Sequence, residues 1–257
     1  MWHNNEKSAI TQANLDEYLK ELAKEYRKLA GKKMPAEIIL VGGAAVLAKY
    51  GFRELTYDMD AIIFAAGAMK DAITNIRNKY NLPHDWLNAD FRKTTSYSDK
   101  LLEVSIYYKT FSNVLTIRVI TAEYLLAMKL MSGRDYKFDL SDIVGILREH
   151  KIENNPISRE DVEKALVKLY GENIELSEAS IELLDIAFDN ENYDALYINT
   201  RNREIETKKR QLATKEEAGL LKEESVSYAI STQDQEQQIK QKQSFLEKLE
   251  EKRNNKV

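Results

Sequence analysis

Residues 38–64 read IILVGGAAVLAKYGFRELTYDMDAIIF, two apolar runs that enclose a diglycine and a pair of aspartates. The first run, Ile38-Ile39-Leu40-Val41, is β-leaning and enters Gly42-Gly43. An alanine-rich helical segment follows and stops at Gly51. The second run carries Asp58 and Asp60, and residues two apart on a strand share a face, so both carboxylates are expected to project together.

Two neighbouring carboxylates with no base between them repel each other unless a cation sits there. Magnesium or manganese suits such a pair, because a hard ion takes one or two carboxylates together with substrate phosphates. Gly42-Gly43 fits the other half of that arrangement, since glycines let backbone amides approach a phosphate at the start of a helix. A lone D-x-D is common on surface strands. Here it interrupts an apolar run ending Ala61-Ile62-Ile63-Phe64, so at least one carboxylate is expected to be half-buried, which is costly for an unpaired charge. Arg53 either neutralises a phosphate or pairs with Glu54 or another acidic neighbour. Thr56 reads first as a β-branched strand residue.

Composition narrows the chemistry. The 257 residues contain no cysteine and only three histidines, His3, His84 and His150, which excludes disulfides and thiolate sites and disfavours zinc. A net charge of −4 argues against wholesale coating of nucleic acid, although a local basic patch could hold an RNA end. The N-terminal MWHNNEKSAI lacks an apolar signal core and no run is long enough to span a bilayer, so a cytoplasmic protein with no membrane partner is expected.

Outward from the central stretch, residues 14–30 place Leu15, Tyr18, Leu19, Leu22, Tyr26 and Leu29 on one helical face, with Asn14 as the expected cap. Residues 68–80 form a second amphipathic helix. Trp86 reads as a packing anchor rather than a base-stacking platform. Residues 102–108 and 114–119 suggest a hairpin, on which Glu103 is either a third metal carboxylate or an exposed edge glutamate. Thr121 opens a helix that is apolar nearly all round, so its Lys129 either snorkels to solvent or meets an anion. Asp139 and Asp142, at the start of the next helix, would compensate its dipole. His150 would complement the dipole at the far end. Ser158 with Asp161, and Ser177, open two further helices. From about Arg201 the chain turns polar and charged, with too faint a heptad for a coiled coil.

The order G-G, short helix, T-x-D-x-D, then a buried lysine helix and R-x-x-K-x-D-x-x-D resembles the nucleotidyltransferase superfamily, and within it the AbiEii-type abortive-infection toxins and neighbouring bacterial families. The residues that carry the resemblance are Gly42, Gly43, Thr56, Asp58 and Asp60, then Lys129, Arg134, Lys137, Asp139 and Asp142. It implies an α/β (α+β) fold, a mixed sheet flanked by helices over residues 1–150; the helical composition that follows reads as a subdomain at 151–200 and a charged helical tail at 201–257, the tail lying outside the resemblance. It also implies that Asp58 and Asp60 hold Mg2+ or Mn2+ on a nucleoside triphosphate. Gly42, Gly43, Thr56, Arg53 and Lys129 would bind the nucleotide, and Asp139 would complete the catalytic set.

The expected activity is transfer of a nucleoside monophosphate to a hydroxyl on RNA, protein or a small molecule, in a toxin–antitoxin or phage-defence setting. The alternative is a non-catalytic module of the same fold that binds a nucleotide or a partner. The polar tail would serve a cognate antitoxin or self-association.

Overall fold

The computed structural model describes residues 9–132, 139–190 and 192–217, and for 208, 209 and 211–217 the backbone only. A short strand, β1 (Ile10–Thr11), leads into α1 (Gln12–Ala30). Thr11 caps that helix: its hydroxyl accepts from the Asn14 amide, while Asn14 Oδ1 accepts from the Thr11 amide at 2.8 Å. The expected cap, Asn14, is instead the reciprocating third helical residue. Leu15, Tyr18, Leu19, Leu22 and Tyr26 are buried, whereas Leu29 in the last turn stays exposed.

The chain then forms β2 (Ala36–Leu40), α2 (Gly42–Lys49), β3 (Leu55–Thr56), β4 (Ala61–Phe64) and α3 (Ala68–Tyr80). Two 3-10 turns, Asp90–Lys93 and Asp99–Leu101, precede the hairpin of β5 (Ser105–Phe111) and β6 (Leu115–Ile120). The hairpin turns through Ser112 and Asn113, both with positive φ. The helices α4 (Ala122–Ser132), α5 (Asp139–Ile152), α6 (Arg159–Tyr170), α7 (Glu178–Phe188) and α8 (Tyr193–Glu217) follow. Capping by Ser158 with Asp161, and by Ser177, starts α6 and α7 where those hydroxyls predict.

The main sheet has the order β4-β2-β6-β5 and is mixed: β2 runs antiparallel to β4 and parallel to β6, and β5 runs antiparallel to β6. With helices flanking this sheet, the fold is α+β. Ile38, Ile39 and Leu40 of the interior strand β2 are fully buried, which explains why it reads as a continuous apolar run and not as an alternation. β1 pairs with β3 in a separate two-stranded sheet. Within the first of two compact units, Met1–Tyr197, α6 and α7 pack on α4. The second unit spans Ile198–Val257.

One local expectation fails in detail. Asp58 and Asp60 do not sit inside a regular strand, because β4 begins only at Ala61 and Asp58 lies in a bend. The segment just before β4 pairs instead with the stretch after Trp86: Met59 donates to the Trp86 carbonyl (2.9 Å), and Ala61 donates to the Asn88 carbonyl (3.0 Å). Trp86 is fully buried and its indole donates to Ile73 O at 3.1 Å, so the ring anchors this stretch.

Candidate functional site

The carboxyl end of β2 delivers the glycine turn to one wall of a cleft. Val41 donates its amide to the Asp60 carbonyl at 3.0 Å, which ties the turn to the acidic segment. Gly42 has φ +53°, in the left-handed region where a side chain is strained, so the turn itself demands glycine there. Across the same segment, Met59 is buried between a more exposed Asp58 and a half-buried Asp60, so the two carboxylates leave the core side together despite the irregular backbone.

The cleft is lined by Gly42, Gly43, Arg53, Asp58, Asp60, Lys129, Asp139 and Asp142. Phe91, Ser96, Met128 and Ser132 complete its lining. Of the nucleotide-binding candidates, Thr56 is not among them: it is buried below, and its hydroxyl donates to the Asp58 backbone carbonyl at 2.9 Å, with Asp58 Oδ1 at 3.2 Å. Thr56 is thus placed to set the direction of Asp58. Glu103 is exposed in the turn before β5 and does not line the cleft. Arg134 and Lys137 lie outside the described residues.

Lys129 resolves between its two readings. Its ammonium does not snorkel; it is buried, 2.8 Å from Asp139 Oδ1 and 2.8 Å from Asp142 Oδ2. Burial alone would depress its pKa, but Asp139 and Asp142 outweigh that, with Arg53 opposing, and the lysine ends above its ordinary value. Arg53 Nη1 donates to the same Asp142 oxygen. Ser132 Oγ donates to the Lys129 carbonyl at 2.7 Å and stands 3.2 Å from Asp139 Oδ2, while Lys129 holds Asp139 Oδ1. Asp139 and Asp142 therefore do more than compensate a helix dipole.

Formal charges decide what the cleft accepts. Its described lining carries four carboxylates and two cations, so an anionic ligand is favoured only together with a cation. Among the described residues no three His, Cys, Asp or Glu side chains cluster as a metal cage. A hard ion on the Asp58/Asp60 pair would complete its shell from water and ligand oxygens, which is the ordinary behaviour of magnesium. The donor set present fits that ion.

His150 is occupied elsewhere. Its ring meets Tyr50 Oη at 3.1 Å and the Asn155 carbonyl at 3.2 Å, so it locks the end of α5 in place of a simple dipole contact.

Phe91, Ser96, Met128 and Ser132 escaped sequence reasoning. Phe91 and Ser96 belong to an irregular stretch with no periodicity, and Met128 and Ser132 read as ordinary members of an apolar helix.

Residues 17–191, more than half the chain and spanning every cleft residue named above, match a family model described as "Nucleotidyltransferase of unknown function (DUF6036)". No curated protein and no solved structure matches the chain. Among the described residues no helix is long and apolar enough to cross a membrane.

Proposed function

The chain belongs to this family of nucleotidyltransferases, and from that premise we propose that its cleft transfers a nucleoside monophosphate from a triphosphate to a hydroxyl acceptor. The observation that carries the reading is the arrival of Asp58 and Asp60 in the same cleft as the Gly42-Gly43 turn and the Arg53/Lys129 cations. An in-line displacement at the α-phosphorus asks little covalent work of a protein. It asks for positioning and for charge placed where charge develops.

In this proposal Asp58 and Asp60 hold magnesium or manganese, with Thr56 fixing Asp58 from behind. The bound ion would offset phosphate charge and align attacking and leaving oxygens. Gly42 and Gly43 present backbone amides to the phosphates. The acceptor oxygen forms the new bond to the α-phosphorus as its hydroxyl proton passes to solvent water, the bond from the α-phosphorus to the bridging oxygen of the β-phosphate breaks, and pyrophosphate leaves with that electron pair. Asp139, held by Lys129 at its Oδ1, orients the acceptor or activates its hydroxyl.

The resemblance to abortive-infection toxins extends the proposal to a toxin–antitoxin or phage-defence role acting on RNA or protein. The test is incubation with each α-labelled nucleoside triphosphate, magnesium and total RNA or total protein. Label in either fraction, lost in the Asp58→Asn variant, supports transfer. Absence of label across all four nucleotides and both acceptor pools refutes transfer to RNA or protein, and absence of magnesium-dependent pyrophosphate release with a small-molecule extract as well refutes transfer altogether.

A further inference from the structure

Arg53 is seated on Gly43. A β-carbon built at Gly43 would stand 2.7 Å from Arg53 Nη2 and 2.8 Å from Arg53 Cζ, closer than real side chains approach. The guanidinium thus occupies the volume that any other residue at position 43 would need. The two glycines are there for different reasons: Gly42 for its positive φ, Gly43 for the arginine lying against it.

This seat is built from behind. Arg53 Nη1 donates to Asp142 Oδ2, and Lys129 meets that same oxygen at 2.8 Å. The preceding residue is held as well. Phe52 is pressed so close to α5 that a β-carbon at Gly145 would fall 2.5 Å from its ring, and Tyr197 Oη donates to the Phe52 carbonyl at 3.2 Å. Phe52 is therefore fixed against α5, and the next side chain, Arg53, lies on the glycine turn.

The two cations of the cleft differ in accessibility. The Lys129 side chain is 8% exposed and contacts two carboxylates, while that of Arg53 is 16% exposed. Arg53 thus holds Asp142 while its guanidinium lies against the turn that would meet phosphate.

Resting on the nucleotidyl-transfer reading of this cleft, we infer that Arg53, seated on Gly43 and aimed by Asp142, is the side chain that grips the triphosphate. Lys129 is then a positioning residue, the buried counter-ion that holds Asp139 and Asp142. The sequence reading placed both Arg53 and Lys129 on the nucleotide, and this inference divides the two roles between them.

The test is a double-mutant cycle on binding of inorganic tripolyphosphate, with magnesium present, to the full chain by calorimetry. Arg53→Ala is expected to weaken binding about 10- to 100-fold, the usual effect of losing a charged hydrogen bond. Gly43→Ala, which displaces the guanidinium and keeps its charge, is expected to weaken it comparably, yet to add nothing in the Arg53→Ala background. Arg53→Lys should recover only part of the loss, because an ammonium lacks the planar fork. Thermal melts of each variant identify any that fails to fold, and the Gly43→Ala and Arg53→Lys arms then carry the test. Wild-type affinity in Arg53→Ala, or effects at the two positions that simply multiply, would overturn the inference. The outcome is separable from the transfer proposal: a coupled cycle without label transfer leaves the anion site and removes the enzyme, and transfer with an uncoupled cycle does the opposite.

Discussion

Lys129 Nζ stands 2.8 Å from Asp142 Oδ2, and that one oxygen is also the acceptor for Arg53. A buried carboxylate shared by two cations links α4, α5 and the loop that follows α2, so the charge network is part of the fold as well as of the cleft. Removing one partner of such a network leaves a buried charge uncompensated.

Lys129→Met is therefore expected to destabilise the protein. Asp142 keeps Arg53, so the main orphan is Asp139, and a loss near the lower end of the usual range, about 3 kcal/mol, is expected. Urea unfolding of the two proteins measures it. Of the two sequence readings of this lysine, the anion it meets is the protein's own Asp139 and Asp142. A variant as stable as wild type would show that the network holds nothing together.

The same lysine sets an alkaline limb. Its pKa in the fold lies above the ordinary value, so the folded chain holds the proton more tightly than the unfolded chain. The resulting stability is fully present below about pH 10, the unfolded lysine range, and is lost as pH rises through the folded value. Tyr108 behaves in the same sense, pushed up to about 12 by burial and by its hydrogen bond to Asp16. Urea midpoints from pH 7 to 11 should fall in wild type, and the fall should be shallower in Lys129→Met, where the tyrosines and the surface-paired Lys79 and Lys164 remain. Parallel curves would remove Lys129 from the account.

Asp58→Asn and Asp60→Asn are expected to behave in the opposite way to Lys129→Met. Neither carboxylate is buried, so the melting transition should move little, whereas labelled-nucleotide transfer should fall at least ~10²-fold for loss of one charge-stabilising group. Thr56→Val should give a smaller loss, because it removes the hydroxyl that directs Asp58 and leaves the carboxylate. Full activity in Asp60→Asn would leave the acidic pair without a role in the chemistry.

The legibility of this site from sequence followed the range of its interactions. The strand–diglycine–helix unit and the apolar helix around Lys129 are local patterns, and periodicity reveals them. The regular-strand reading of Asp58 and Asp60 failed because the partner of that segment is the backbone after Trp86, about 25 residues on and without any strand pattern. The seat of Arg53 on Gly43 was equally hidden. Nothing in a diglycine distinguishes a residue needed for its φ from one needed for the space above it. Asp142 was visible as part of a motif, but its sharing by Arg53 and Lys129 depends on contacts that span up to 89 positions of the chain.

The charged stretch beyond residue 200 contains few periodic apolar residues, and the first compact unit ends at Tyr197. A chain ending after Thr200 is therefore expected to keep a cooperative unfolding transition. One ending after Asn190 should not match it. Tyr197 lies edge-on to Phe52 at 5.7 Å and donates to its carbonyl, and Asp194 pairs with Arg148. Without them the ring of Phe52 loses cover on one side while Gly145 and Tyr50 still cover it from others, so the cost stays below the ~1.5–3 kcal/mol of exposing a whole phenylalanine side chain. Phe52 precedes Arg53, so the shorter chain should also bind tripolyphosphate more weakly than the longer one. Paired urea midpoints and calorimetric affinities check both effects. Equal affinity at reduced stability would mean that Asp142 alone directs Arg53. Equal stability would mean that Tyr197 contributes no support to the loop at all.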